Sequence, residues 1–162
     1  MYADLIPTLK KYDVVACLEN MFVAGSVEGK RFAAVCSDFH QAAEYVDRLN
    51  DIAGEERFGF CFDTGHCHIT GQNFRHCLNL IGKRLKVLHI HDNDSHTDWH
   101  VAPYMGNADW EGFIAGLRDI GYEGDLSFET FNILNRYPMP MWPTVLKLIA
   151  ETGAYFAQRI AE

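Results

Sequence analysis

Four short apolar runs, Val14 to Leu18, Phe58 to Phe62, Val87 to His91 and Leu126 to Phe128, alternate with longer stretches in which apolar residues recur at helical spacing. This alternation predicts strand-helix units around a parallel sheet. Between the first two runs, Phe39, Ala42, Ala43, Val46 and Leu49 mark a helix with Ser37 as its expected cap and Asn50-Asp51 at its end. Phe113, Leu117 and Ile120 mark another that stops at Gly121. A last helix is expected from Pro143, with Val145, Leu148, Ile149, Thr152, Phe156 and Ile160 along one side. Leu5, Leu9 and Tyr12 suggest a short opening helix. The expectation is one domain over residues 1–162, an opening helix followed by four βα units.

Successive strand residues face opposite sides of a sheet, so each run can be sorted by parity. In Phe58-Gly59-Phe60-Cys61-Phe62-Asp63 the phenylalanines share one face, and Gly59, Cys61 and Asp63 share the other. The same parity sets Glu19 with Cys17 and Val15, His89 with Val87, and Glu129 with Ser127. In each strand the bulky side can pack under helices while a potential metal ligand ends the opposite side. Three carboxylates and one imidazole suit divalent Mn, Mg, Co or Zn better than a structural thiolate site does. Converging carboxylates also repel one another unless a cation offsets them. Separations of 44, 26 and 40 residues between Glu19, Asp63, His89 and Glu129 each fit one strand-helix-strand step. Taken singly, Glu19 reads as a cap or solvated turn, Asp63 as an Asx turn, and His89 and His91 as core histidines. The agreement of the four favours a site.

Composition narrows the class. The chain has 162 residues with 14 Lys and Arg against 22 Asp and Glu, a formal charge of −8, which disfavours a broad nucleic-acid or anionic-membrane surface. Hydrophobic residues at 48% can fill one core. No apolar stretch reaches the roughly 18 to 20 residues of a membrane span, and Met1-Tyr2-Ala3-Asp4 does not open a signal segment, so a cytoplasmic location is expected. Cys17, Cys36, Cys61, Cys67 and Cys77 are odd in number and form no CxxC pair, which predicts buried reduced thiols. Cys17 and Cys61, on the ligand side of their strands, are expected to be packing residues. Trp99, Trp110 and Phe131 are read first as core, and secondarily as an apolar wall beside the ligands.

The motifs Leu18-Glu19-Asn20, Phe62-Asp63-Thr64-Gly65-His66, His89-Ile90-His91-Asp92, Asp98-Trp99-His100 with Pro103, Gly106 and Asp109-Trp110, and Phe128-Glu129-Thr130 occur in that order. The ordered set resembles the xylose isomerase-like TIM-barrel superfamily, which includes sugar phosphate isomerases and epimerases, ketose 3-epimerases, inosose dehydratases and endonuclease IV-type enzymes. The resemblance implies a partial (β/α)8 barrel whose four strands correspond to strands five to eight. It implies Glu19, Asp63, His89 and Glu129 as ligands of a divalent metal, and Glu19 and Glu129 as the catalytic pair that moves a proton next to a carbonyl through a metal-stabilised enediolate. His66, Asp98 and His100 are implied to bind substrate, or in the endonuclease branch an additional zinc.

The expected activity is therefore isomerisation or epimerisation of a small sugar or sugar phosphate. The alternatives are an endonuclease IV-like phosphodiester hydrolase and an inactive half-barrel. A full barrel takes about 250 residues, so the expectation includes a missing amino-terminal half. A truncated product, closure by a second copy or a complementing half-barrel, or a partly formed sheet would each account for it.

Overall fold

The computed structural model describes residues 1–23, 25, 27 and 31–162. A short 3-10 turn, Tyr2–Leu5, leads into α1 (Ile6–Tyr12), and β1 (Ala16–Glu19), α2 (Phe39–Ala53) and β2 (Phe58–Asp63) follow. Two short helices, α3 (Thr64–Ile69) and α4 (Phe74–Ile81), precede β3 (Leu85–His89). The chain ends with α5 (Trp110–Asp119), α6 (Phe131–Leu134) and α7 (Trp142–Ala161). The three strands form a parallel sheet in the order β1-β2-β3, so the fold is α/β with helical crossovers.

The phenylalanines of β2 explain the layering. Phe58, Phe60 and Phe62 are fully buried on one face of the sheet. Phe39 of α2 packs tilted against Phe60 at 5.8 Å and Phe62 at 5.7 Å, and Phe74 of α4 meets Phe62 edge-on at 5.9 Å. Leu78 and Ile81 of α4, Phe113, Ile114 and Leu117 of α5, and Phe156 of α7 complete this core. The apolar stripes of the helices thus face the bulky side of the strands, leaving the other side to the smaller residues and the strand-end ligands.

Several boundaries differ from the sequence expectation. α2 is capped by Asp38, whose carboxylate accepts from the Gln41 N–H at 3.1 Å; the Ser37 hydroxyl instead donates to the Met21 carbonyl. The helix also runs past Asn50-Asp51 to Ala53, where Gly54 adopts φ 71°. Asn50 does not end the helix but steers the entry to β2, its side chain accepting from the N–H groups of Arg57 and Phe58, both at 2.8 Å. Val14 and Val15 precede the pairing, which begins when the Ala16 N–H donates to Arg57 O at 3.0 Å. The stretch between β2 and β3 holds α3 and α4, started by Asp63 and Asn73 as N-caps.

The fourth expected strand, Leu126 to Phe128, is reduced to a single parallel bridge between Ile90 and Phe128. Ile90 N–H donates to Ser127 O at 2.8 Å, and Glu129 N–H donates to Ile90 O at 3.0 Å. The segment makes these two bonds and no longer ladder, and no further strand lies beyond it among the described residues. Two bonds nonetheless suffice to bring Glu129 alongside the end of β3. All five cysteines are free thiols. No helix among the described residues is long and apolar enough to cross a membrane.

Close approach of α4 and α5 generates a prediction at Gly116. A Cβ there would lie 2.7 Å from Leu78 Cδ1 and 3.0 Å from Arg75 Cα. Alanine ordinarily favours a helix over glycine by about 1 kcal/mol, but overpacking costs typically about 1–3 kcal/mol. Gly116→Ala is expected to lower stability by about 0–2 kcal/mol in urea unfolding; a variant more stable than the parent would refute this packing.

Candidate functional site

The carboxyl ends of the strands meet at one rim. Residue pairing sets Glu19 beside Cys61 and Asp63 beside His89, and the Ile90–Phe128 bridge brings in Glu129. His89 stands at the centre: its Nδ1 lies 3.4 Å from Glu19 Oε1, 3.5 Å from Glu129 Oε1 and 3.9 Å from Asp63 Oδ2. One ligating atom from each of Asp63, His89 and Glu129 falls within 4.8 Å of the others, and the same holds for Glu19, Cys61 and His89. The structure therefore brings all four strand-end residues to one rim around His89, and the Asp63, His89 and Glu129 group among them could hold a metal ion.

Asp63 is fully buried and held from several directions. As the α3 N-cap, its Oδ1 accepts from His66 N–H at 2.7 Å. Its backbone N–H donates to Asn20 Oδ1 and its carbonyl accepts from Asn20 Nδ2, both at 2.9 Å. The Asn20 amide thus continues the β1–β2 pairing one residue past the end of β1, where a backbone bond has stopped.

His66, Asp98 and His100 adjoin this cluster. His66 Nδ1 donates to Asn20 O at 2.9 Å and lies 3.5 Å from Glu19 Oε1, while its Nε2 lies 3.8 Å from Asp98 Oδ2. Burial works against the imidazolium of His66, but Asp98, Asp63 and the Asn20 carbonyl outweigh it and push the pKa up to about 9. Burial likewise works upward on Asp98, and the imidazoles of His66, His100 and His91 overcome it to hold that carboxyl below its usual range. His100 Nε2 donates to Asp98 Oδ2 at 3.1 Å, and its Nδ1 lies 3.0 Å from Glu129 O. The His100 ring is sandwiched between His91, stacked at 3.9 Å, and Phe131 at 4.7 Å.

Other candidates fall outside the chemistry. Trp110 is a core residue, 3% exposed, packed on Phe113 at 5.6 Å and Phe156 at 5.4 Å. Trp99 lies under the Arg136 guanidinium, and Phe131 remains exposed beside His100. Burial, reinforced by Glu19 and Asp63, pushes the Cys61 thiol well up, so it keeps its proton and is no nucleophile.

The sequence pattern does not single out Asn20, His91 or Asp92 as parts of the site, yet each is fully buried at it. Asp92 fixes the loop that carries Asp98 and His100: its carboxylate accepts from the N–H groups of Asn93, Gly106 and Ala108 and from Trp110 Nε1. The available signal is local. Each residue lies within three positions of a strand-end ligand, and a polar residue so placed next to a buried core invites the question of what it bonds.

Residues 2–152 match the family described as xylose isomerase-like TIM barrel. The chain is 28% identical over 130 residues to inosose isomerase of Bacillus velezensis, covering 76% of this chain and 41% of that protein. It is 29% identical over 124 residues to a probable endonuclease 4 of Mycoplasmoides gallisepticum, covering 72% and 35%. The fold is similar to a solved L-ribulose 3-epimerase, with a TM-score of 0.58 and 20% identity over 99% of this chain and 55% of that one. The chain thus spans less than half the length of the curated relatives named here.

The Asn20 clamp is testable without knowing the reaction. Asn20→Ala removes the donor and acceptor that serve Asp63 N–H and C=O, and each buried group left unpaired costs about 1–3 kcal/mol. Chemical denaturation is expected to show a loss of about 2–6 kcal/mol, and a loss below the lower figure would mean that water or another group serves the Asp63 backbone.

Proposed function

This chain belongs to the xylose isomerase-like TIM-barrel family, and from that membership we propose that it carries the metal-binding half of a sugar or sugar phosphate isomerase or epimerase site. Its strands correspond, in this reading, to strands five to eight of the barrel. The observation that carries the proposal is the convergence of Glu19, Asp63 and Glu129 on the single imidazole of His89. These residues would hold one divalent cation, Mn, Mg, Co or Zn. Three oxygen donors with one nitrogen fit such an ion, and its charge would offset the mutual repulsion of the carboxylates. Likeness to inosose isomerase and to ketose epimerases supports the same class.

When bound, the cation supplies Lewis-acid stabilisation of the negative charge that develops on a substrate oxygen as the adjacent carbon loses its proton. Glu19 and Glu129 each approach Nδ1 of His89, at 3.4 and 3.5 Å, from the ends of different strand segments. In the proposed mechanism one carboxylate takes the proton from carbon, and the other returns one to the opposite face or to the neighbouring carbon. The first outcome is epimerisation and the second isomerisation. His66, charged near neutral pH, would hydrogen-bond a substrate hydroxyl, with Asp98 and His100 shaping the pocket beside it. Strands one to four of the barrel, from a complementing half or a second copy, would supply the remaining substrate contacts.

A second reading has its own observation. Nε2 of His66 and of His100 both approach Asp98 Oδ2, at 3.8 and 3.1 Å, an arrangement suited to a further metal ion and hence to an endonuclease IV-like hydrolase. Likeness to the probable endonuclease 4 favours it, while the formal charge of −8 weighs against a DNA surface.

Calorimetric titration with Mn2+ is expected to show one tight site per chain, abolished in Asp63→Asn; an intact chain that takes up no divalent ion would overturn the proposal. In the completed barrel, Glu19→Gln and Glu129→Gln are each expected to lower ketose epimerisation by about 10²- to 10⁴-fold. Cleavage of an abasic-site duplex without any sugar turnover would instead select the hydrolase.

A further inference from the structure

His91 lies two residues past the end of β3 and is fully buried. Its Nε2 lies 3.1 Å from Asp63 Oδ1 and 3.2 Å from Asp63 Oδ2. A carboxylate only accepts, so Nε2 is the donating nitrogen. Nδ1 is buried with no hydrogen-bond partner, which means that the ring is oriented for the benefit of Nε2 alone.

The surroundings leave the ring little freedom. Its backbone is held by Thr64, whose hydroxyl donates to His91 O at 2.7 Å and accepts from His91 N–H at 2.9 Å. One edge rests on Gly65, where any Cβ would collide with the imidazole. One face stacks on His100 at 3.9 Å with 13° between the planes. Glycine at position 65 is therefore required by the imidazole at position 91.

We propose that His91 is a positioning residue that fixes the Asp63 carboxylate for cation binding and, through its stacked face, couples that carboxylate to the orientation of His100. The proposal rests on the metal-site reading above. Asp63 Oδ1 already accepts from His66 N–H. A bidentate approach by His91 Nε2 stops the carboxylate from rotating about that bond and keeps Oδ2 turned toward His89. Without it, Asp63 must order itself when the ion arrives, and affinity falls. Supporting contacts of this kind typically contribute about 10- to 100-fold in metal affinity.

The test is Mn2+ titration of the full chain by calorimetry, with thermal unfolding measured in parallel. His91→Leu fills the volume but cannot donate, and His91→Gln places an amide N–H near the position of Nε2. The expected result is a dissociation constant about 10- to 100-fold weaker in His91→Leu, recovery toward the parent value in His91→Gln, and one site per chain throughout. Unchanged affinity in His91→Leu would overturn the proposal. So would equal weakening in both variants, because an imidazole that ligates the ion or merely packs is not replaced by an amide. Should His91→Leu fail to fold, His91→Asn, too short to reach Asp63, takes its place against His91→Gln, and equal affinities then overturn the proposal. Failure of the underlying reading shows separately, as absence of Mn2+ uptake by the unsubstituted chain.

Discussion

Side-chain alternation along β2 is the constraint on which the rest of the structure depends. Phe58, Phe60 and Phe62 can all be buried only in one register, and that register turns Asp63 to the face away from the helices. A slip of one residue would send three aromatic rings to the open side and the carboxylate under α2 and α4. Burial of a phenylalanine side chain is worth about 1.5–3 kcal/mol, so the core enforces the register far more strongly than the site could. The mutual repulsion of Glu19, Asp63 and Glu129 is thus tolerated because hydrophobic packing elsewhere outweighs it.

Strand pairing is fullest in the middle of the sheet and sparse at its sides. Among the described residues, β2 pairs on both sides, whereas β1 pairs on one and the fourth segment forms a lone bridge. Val14, Val15 and Val35 are exposed apolar side chains near the β1 edge. In the solved L-ribulose 3-epimerase the aligned region is 55% of the chain. Exposed apolar residues beside an unpaired strand edge are the surface that additional strands would cover.

Parity and helical spacing make β2, the strand-end residues and the long helices α2, α5 and α7 legible in the sequence. The features that escape such patterns arise from tertiary contact. The Asn20 side chain acts across 43 residues of sequence to reach Asp63, and His91 acts across 28; no local pattern encodes either pairing. Ser37 and Asp38 are both competent caps; Asp38 takes the role, accepting from Gln41 N–H, while the Ser37 hydroxyl is turned toward the Met21 carbonyl. Residues 64–81 are hard to read because two short helices, interrupted at Gly71 with φ 72°, do not sustain one long periodic stripe. The fourth strand falls short of its expectation because its apolar run is only three residues long and its pairing stops at the single Ile90–Phe128 bridge.

Hydrogen-bond capacity separates the carboxylates that build this site from those that are left available by it. Asp92 accepts four hydrogen bonds, two on each oxygen, and is saturated; it has no capacity for a ligand and serves to hold the loop bearing Asp98 and His100. Asp63 accepts from the backbone of His66 and from His91, which leaves Oδ2 with only one of these donors and a second lone pair turned toward His89. The ion-pair contacts of Glu19 and Glu129 are with imidazoles at 3.4 Å or more, none of which saturates a carboxylate. A buried acidic residue with every lone pair engaged is architecture, and one with capacity to spare beside two others of the same charge is where the proposed cation would bind. By that criterion the fold invests one saturated aspartate and two neutral polar clamps, Asn20 and Thr64, in a rim where three unsaturated carboxylates border the His89 imidazole.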